Sequence, residues 1–151
     1  MKKIIGYLVL IGILDILLLI VSKAGQMPIW WMTLGLILKC TLIGGIGGVV
    51  YCLRAVYLNA SVRKSWDDRW QVWYYIRPLV SHFCGAISFL FLKAGLLVLE
   101  ARQSTEASDL GFLALAFIAG LNVDKFITKV EDIAQATWGI EKSRTAKIEN
   151  K

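Results

Sequence analysis

A chain of 151 residues has the length of one domain, but 57% hydrophobic residues, 19% charged residues and a mean hydropathy of +0.61 exclude an ordinary soluble one. Its 17 Lys and Arg against 11 Asp and Glu give a net charge of +6. These charges fall between apolar runs instead of forming a patch, which argues against nucleic acid as a partner and for loops lying beside an anionic lipid bilayer.

The pattern predicts an all-α polytopic membrane protein, a single membrane domain with four transmembrane helices and a cytoplasmic amphipathic C-terminal helix. Ile4 to Val21 is the first span, long enough to cross a hydrocarbon core of ~30 Å and interrupted only by Gly6, Gly12 and Asp15. Lys2 and Lys3 ahead of it, with Ser22-Lys23-Ala24 behind, also admit a cleaved signal peptide; Asp15 and the length of the run weigh against that. Met27-Pro28 turns the chain, Trp30 and Trp31 anchor it at the interface, and the second span covers 30–53. Within it, Gly44 and Gly48 stand four apart, which means either close approach of a neighbouring helix or local weakening.

A cytoplasmic loop is expected over 54–77, where Arg63, Lys64, Asp67, Asp68, Arg69 and Arg77 interleave with aromatic residues. Trp66, Trp70 and Trp73 are four and three apart, so a helix would place them on one face at headgroup level as interfacial anchors. A stacking platform for single-stranded nucleic acid is the less economical reading. Pro78 is expected in the first turn of the third span, 78–99, where Ser81, Gly85 and Ser88 form a small-residue stripe. The loop from Glu100 to Asp109, with three acids and one Arg, suits the periplasmic side.

The fourth span, 110–127, is short. Leu110 to Val123 covers about 21 Å at ~1.5 Å per residue, so the span recruits the turn around Phe126 and Ile127, thins the bilayer or is re-entrant. Beyond it Phe126, Val130, Ile133, Thr137 and Ile140 recur at helical spacing, and a cytoplasmic helix and tail fill 128–151. With these spans, 13 Lys and Arg fall on one side and two, Lys23 and Arg102, on the other, which puts both termini in the cytoplasm of a bacterial inner membrane.

Asp15, Lys39 and Lys93 are ionisable groups within spans, each costing at least ~2.5 kcal/mol at a bilayer centre, and are expected to form an intramembrane charge cluster. Asp15 lies within snorkelling reach of either lysine, as a structural pair that sets helix register or as part of an ion or proton pathway. His82 is a further candidate for lining such a pathway, but, close to Arg77, it is expected to be an interfacial or packing residue instead of a proton relay. Cys40, Cys52 and Cys84 lack CxxC spacing and suit apolar packing, and the lone histidine and absent Gly-Lys-Ser/Thr ending leave no zinc site or phosphate loop. A non-enzyme without a cofactor is expected.

The stretch Tyr75-Ile76-Arg77-Pro78-Leu79 through Gly85 to Ala94-Gly95-Leu96, followed by Leu115 to Gly120, resembles a helical hairpin recurring in uncharacterised bacterial membrane proteins. The resemblance implies a real fourth span and a cytoplasmic helix after Gly120; it supplies no activity. The leading functional expectation is an oligomeric accessory or scaffold subunit, packed through Gly44, Gly48, Gly85 and Gly120 against copies of itself or a partner protein. The alternative is an ion-conducting or membrane-permeabilising effector gated by a cytoplasmic partner.

Overall fold

Ile4 to Val21 is apolar but for Asp15 and the Tyr7 hydroxyl, and in lipid such a run must satisfy its backbone groups internally, as a helix. In the computed structural model, which describes residues 1–23, 34–96 and 105–141, this run is α1, Lys2–Lys23. The other helices are α2, Gly35–Tyr57; α3, Gln71–Lys93; α4, Thr105–Leu121; and α5, Val123–Trp138. The Met27-Pro28 turn, Trp30, Trp31, Arg102 and the tail from 142 lie outside the described residues.

Three helical segments are long and apolar enough to cross a membrane: α1, α2 with its continuation to Val62, and α3 with the turn before it from Asp68. A fourth pass exists only if α4 and α5 are taken as one span bent by 111°. α2 is the central helix and packs on α1, α3 and α4. The packing is antiparallel. Ile4 and Leu8 near the start of α1 meet Val49, Cys52 and Val56 near the end of α2, together with Tyr74 near the start of α3. Lys2, Lys3, Arg54, Arg63, Lys64 and Lys125 therefore gather at one end of the bundle, called here the basic end.

α3 starts earlier than the sequence predicts. At its approach Lys64 adopts φ 51°, reversing the chain, and the Asp67 carboxylate accepts from the Arg69 backbone N–H at 2.9 Å. This cap nucleates the 3₁₀ turn Asp68–Trp70, which runs directly into α3. Pro78 consequently sits two turns inside the helix, fully buried, instead of in its first turn. Lacking an N–H, it leaves the Tyr74 carbonyl without its intrahelical donor, a local loss that close packing around Pro78 offsets.

The fourth pass also differs. Asn122 (φ −120°, ψ 52°) is not helical; its N–H donates to the Ile118 carbonyl at 2.9 Å, closing α4, and its carbonyl accepts from Phe126 N at 2.9 Å, opening α5. Phe126 and Ile127 thus lie beyond a sharp bend and belong to a fourth pass only if the bent pair is taken as one span. α4 by itself starts at Thr105, and its 17 residues give about 26 Å. α5 ends at Gly139 in the left-handed region (φ 68°), so Ile140 lies past the amphipathic helix.

Candidate functional site

Four glycines on α2 let three helices converge. A Cβ at Gly44 would stand 2.7 Å from both the Gly85 Cα and the Ser81 carbonyl oxygen, and a Cβ on Gly120 would run into the Gly44 backbone. Gly44, Gly85 and Gly120 therefore form one crossing point of α2, α3 and α4. Gly47 receives the α4 backbone at Phe117 and Leu121, and Gly48 receives Ser81. α2 runs unbroken through all of them; the neighbouring helices occupy the space that side chains would fill. Ser81 Oγ lies 2.9 Å from the carbonyl oxygens of both Arg77 and Gly120, so its proton serves α3 or bridges to α4.

The remaining glycine of this run, Gly45, faces the ring of His82. His82 Nε2 lies 3.1 Å from Asp15 Oδ1, and Nδ1 lies 2.8 Å from the Pro78 carbonyl oxygen. A carbonyl only accepts, so Nδ1 carries a proton, and one further proton lies between Nε2 and Oδ1. On nitrogen it makes an imidazolium–carboxylate pair; on oxygen it makes two neutral groups. Either way the pair carries no net charge, which suits its burial: the side chains of His82 and Asp15 are 21% and 3% exposed. Asp15 Oδ2 is buried and has no hydrogen-bond partner among the described residues.

The expected partnership of Asp15 with a lysine is not the one formed. Lys93 is the last residue of α3 and is exposed, and Lys39 is half-buried one turn into α2; neither makes an ion pair among the described residues. Both lie at the end away from the basic end, so Asp15, Lys39 and Lys93 do not form a cluster. His82, set aside as interfacial, lies midway along α3 because the helix begins at Gln71.

Nearer the basic end, Arg77 is buried between an aromatic ring of α2 and one of α3, with Cζ 4.8 Å from the Tyr51 ring centre and 5.3 Å from that of Trp73. Its Nη1 donates to Asp124 Oδ2 at 2.8 Å, tying α3 to α5, while Nε has no hydrogen-bond partner among the described residues. Trp66 and Trp73 flank Tyr74, Trp66 stacked at 5.5 Å and Trp73 edge-on at 5.0 Å. Trp66, Trp70 and Trp73 do not share a helical face as predicted: Trp66 precedes the 3₁₀ turn and folds back, Trp70 ends that turn and is exposed, and only Trp73 is on α3.

Cys40, Cys52 and Cys84 are free thiols buried among the helices. Among the described residues no three His, Cys, Asp or Glu side chains converge as metal ligands. No family model matches this chain, and no curated protein or solved structure compared with it matches either.

Proposed function

We propose that this is a small, non-enzymatic integral membrane protein of a bacterial inner membrane, acting as an oligomeric accessory or scaffold subunit. The observation supporting this reading is the position of α1 at the edge of the bundle. Only 17% of its apolar window is buried, and Leu10, Ile13, Leu14 and Leu17, all at least half exposed, make a continuous stripe at three- and four-residue spacing. The glycine faces of α2 are already filled by α3 and α4, so a second copy would pack along α1.

Charge supports the orientation. Counting Lys39 and Lys93 with Lys23 and Arg102, the division is 13 Lys and Arg against 4, still a strong bias toward cytoplasmic termini.

Native mass spectrometry of the protein in nanodiscs, paired with disulfide trapping of Leu10→Cys and Leu17→Cys, tests the assembly. A closed oligomer crosslinked through α1 supports it; a monomer at every protein-to-lipid ratio overturns it. A second reading, ion conduction, is favoured by the buried Asp15 Oδ2, which has no hydrogen-bond partner among the described residues and is the kind of oxygen that a water or cation would satisfy. For it, Asp15→Asn should leave assembly intact and change ion flux; unchanged flux removes it.

A further inference from the structure

The turn between α2 and α3 borders a cleft of about 570 Å³ at the basic end, lined among others by Arg54, Arg63, Trp66, Trp70 and Trp73. Its base is held by Tyr74, which is 2% exposed. The Tyr74 hydroxyl accepts from Asn59 Nδ2 at 3.2 Å, and the Asn59 Oδ1 so oriented accepts from Arg63 Nη1 at 3.5 Å. A buried tyrosine thereby positions an amide, and the amide positions a guanidinium beside the cleft. Arg54 and Arg63 are exposed and make no ion pair among the described residues, whereas Asp67, the acid in the lining, lies 3.9 Å from Arg69. The cleft is thus basic, with an aromatic wall, and it opens where the apolar spans end.

We propose that this cleft binds the headgroup of an anionic phospholipid, its phosphodiester between Arg54 and Arg63 and its glycerol carbons against Trp66 and Trp70. Guanidinium forks supply the charge-assisted donors that a phosphodiester oxygen takes best. A free inorganic phosphate would satisfy the arginines but fill little of the volume and leave the indoles nothing to cover. A zwitterionic headgroup would bring its own cation against two unpaired arginines. An anionic headgroup fits both the charge and the aromatic wall, and its acyl chains continue into the bilayer beside α3. The assignment rests on the same membrane placement as the proposed function but not on oligomerisation.

The test is lipid retention, read by native mass spectrometry on protein released from nanodiscs that mix phosphatidylglycerol with phosphatidylcholine. The wild type should retain phosphatidylglycerol over phosphatidylcholine by about tenfold, and Arg54→Gln or Arg63→Gln should each lose about that factor, the worth of one charge-assisted contact. Lys2→Gln and Lys125→Gln, which change charge at the same end outside the cleft, should retain lipid as the wild type does. Brominated phosphatidylglycerol should also quench wild-type tryptophan emission more than brominated phosphatidylcholine does, a readout needing no variant. Equal retention of the two lipids, or equal losses in the lysine and arginine variants, would overturn the site. Displacement of the lipid by millimolar inorganic phosphate would overturn the lipid assignment in favour of a free anion. An oligomer that retains no lipid refutes this inference alone, and a monomer that retains it refutes only the oligomer.

Discussion

His82 joins Asp15 on α1 to the Pro78 carbonyl of its own helix, with 3.1 Å at Nε2 and 2.8 Å at Nδ1, and so forms a polar tie between α1 and α3 beside the one that the Tyr7 hydroxyl makes by donating to the Tyr75 carbonyl at 3.0 Å. Because Nδ1 must donate to the carbonyl, a neutral His82 presents a bare Nε2 that needs a donor from α1.

That requirement separates the variants at position 15. Asparagine can donate from its amide to Nε2, so Asp15→Asn should lose less than about 1 kcal/mol of stability. Asp15→Ala leaves Nε2 unpartnered and should lose about 1–3 kcal/mol, the cost of an unsatisfied buried group. Unfolding titrations in mixed micelles measure both; equal losses for Asn and Ala would show that the contact with His82 does not stabilise the bundle.

The glycines predict a second ordering. Gly44→Ala and Gly120→Ala put a methyl group into the backbone of a neighbouring helix, which cannot yield as a flexible side chain would, so each should lose about 3 kcal/mol, the upper part of the overpacking range, or fail to fold. Gly6→Ala meets nothing within 4 Å among the described residues and should be near neutral or gain from helix propensity, whereas Gly12→Ala meets Val49 Cγ1 at 3.3 Å, a close contact with one side chain, and should fall between Gly6 and Gly44. Thermal melts of the four proteins in one detergent give the comparison, and a loss at Gly6 equal to that at Gly44 would contradict the packing.

Arg77 and Asp124 are unequal partners, with side chains 5% and 68% exposed. Removing the buried member abolishes its stacking between Tyr51 and Trp73 and leaves a hole, while neutralising the exposed one leaves a guanidinium that still has the two rings. Arg77→Ala should therefore cost about 2–5 kcal/mol, as truncation of a large buried side chain does, and Asp124→Asn clearly less, because the asparagine Oδ1 still accepts from Nη1. Hydrogen exchange should show faster opening of α5, Val123–Trp138, in both variants, with the rest of the bundle affected only in Arg77→Ala. Undisturbed α5 protection in both would mean that the pair does not dock that helix.

The apolar runs alone determined where helices form, because a segment such as Ile4 to Val21 has no other way to satisfy its backbone in lipid. Local chemistry also marked the glycines of α2 and the Ser81, Gly85 and Ser88 stripe of α3 as positions of small side chains. The starting point of α3 was less legible: proline reads as a helix boundary, and only the Asp67 cap together with the buried stripe Tyr74, Arg77 and Ser81 shows that the helix has already run two turns. Misplacing that start puts His82 at the edge of its span and hides it as the partner of Asp15.

Sequence by itself therefore determined composition and helical class, since each depends on residues near one another in the chain. Tertiary structure alone decided which polar groups meet. The partners of Asp15, Arg77 and Ser81 stand 67, 47 and 39 residues away, and the rotation of each helix about its axis chooses them. That rotation is set by backbone contacts at Gly44, Gly85 and Gly120, where van der Waals fit, which leaves no pattern along a single chain, selects one crossing of three helices.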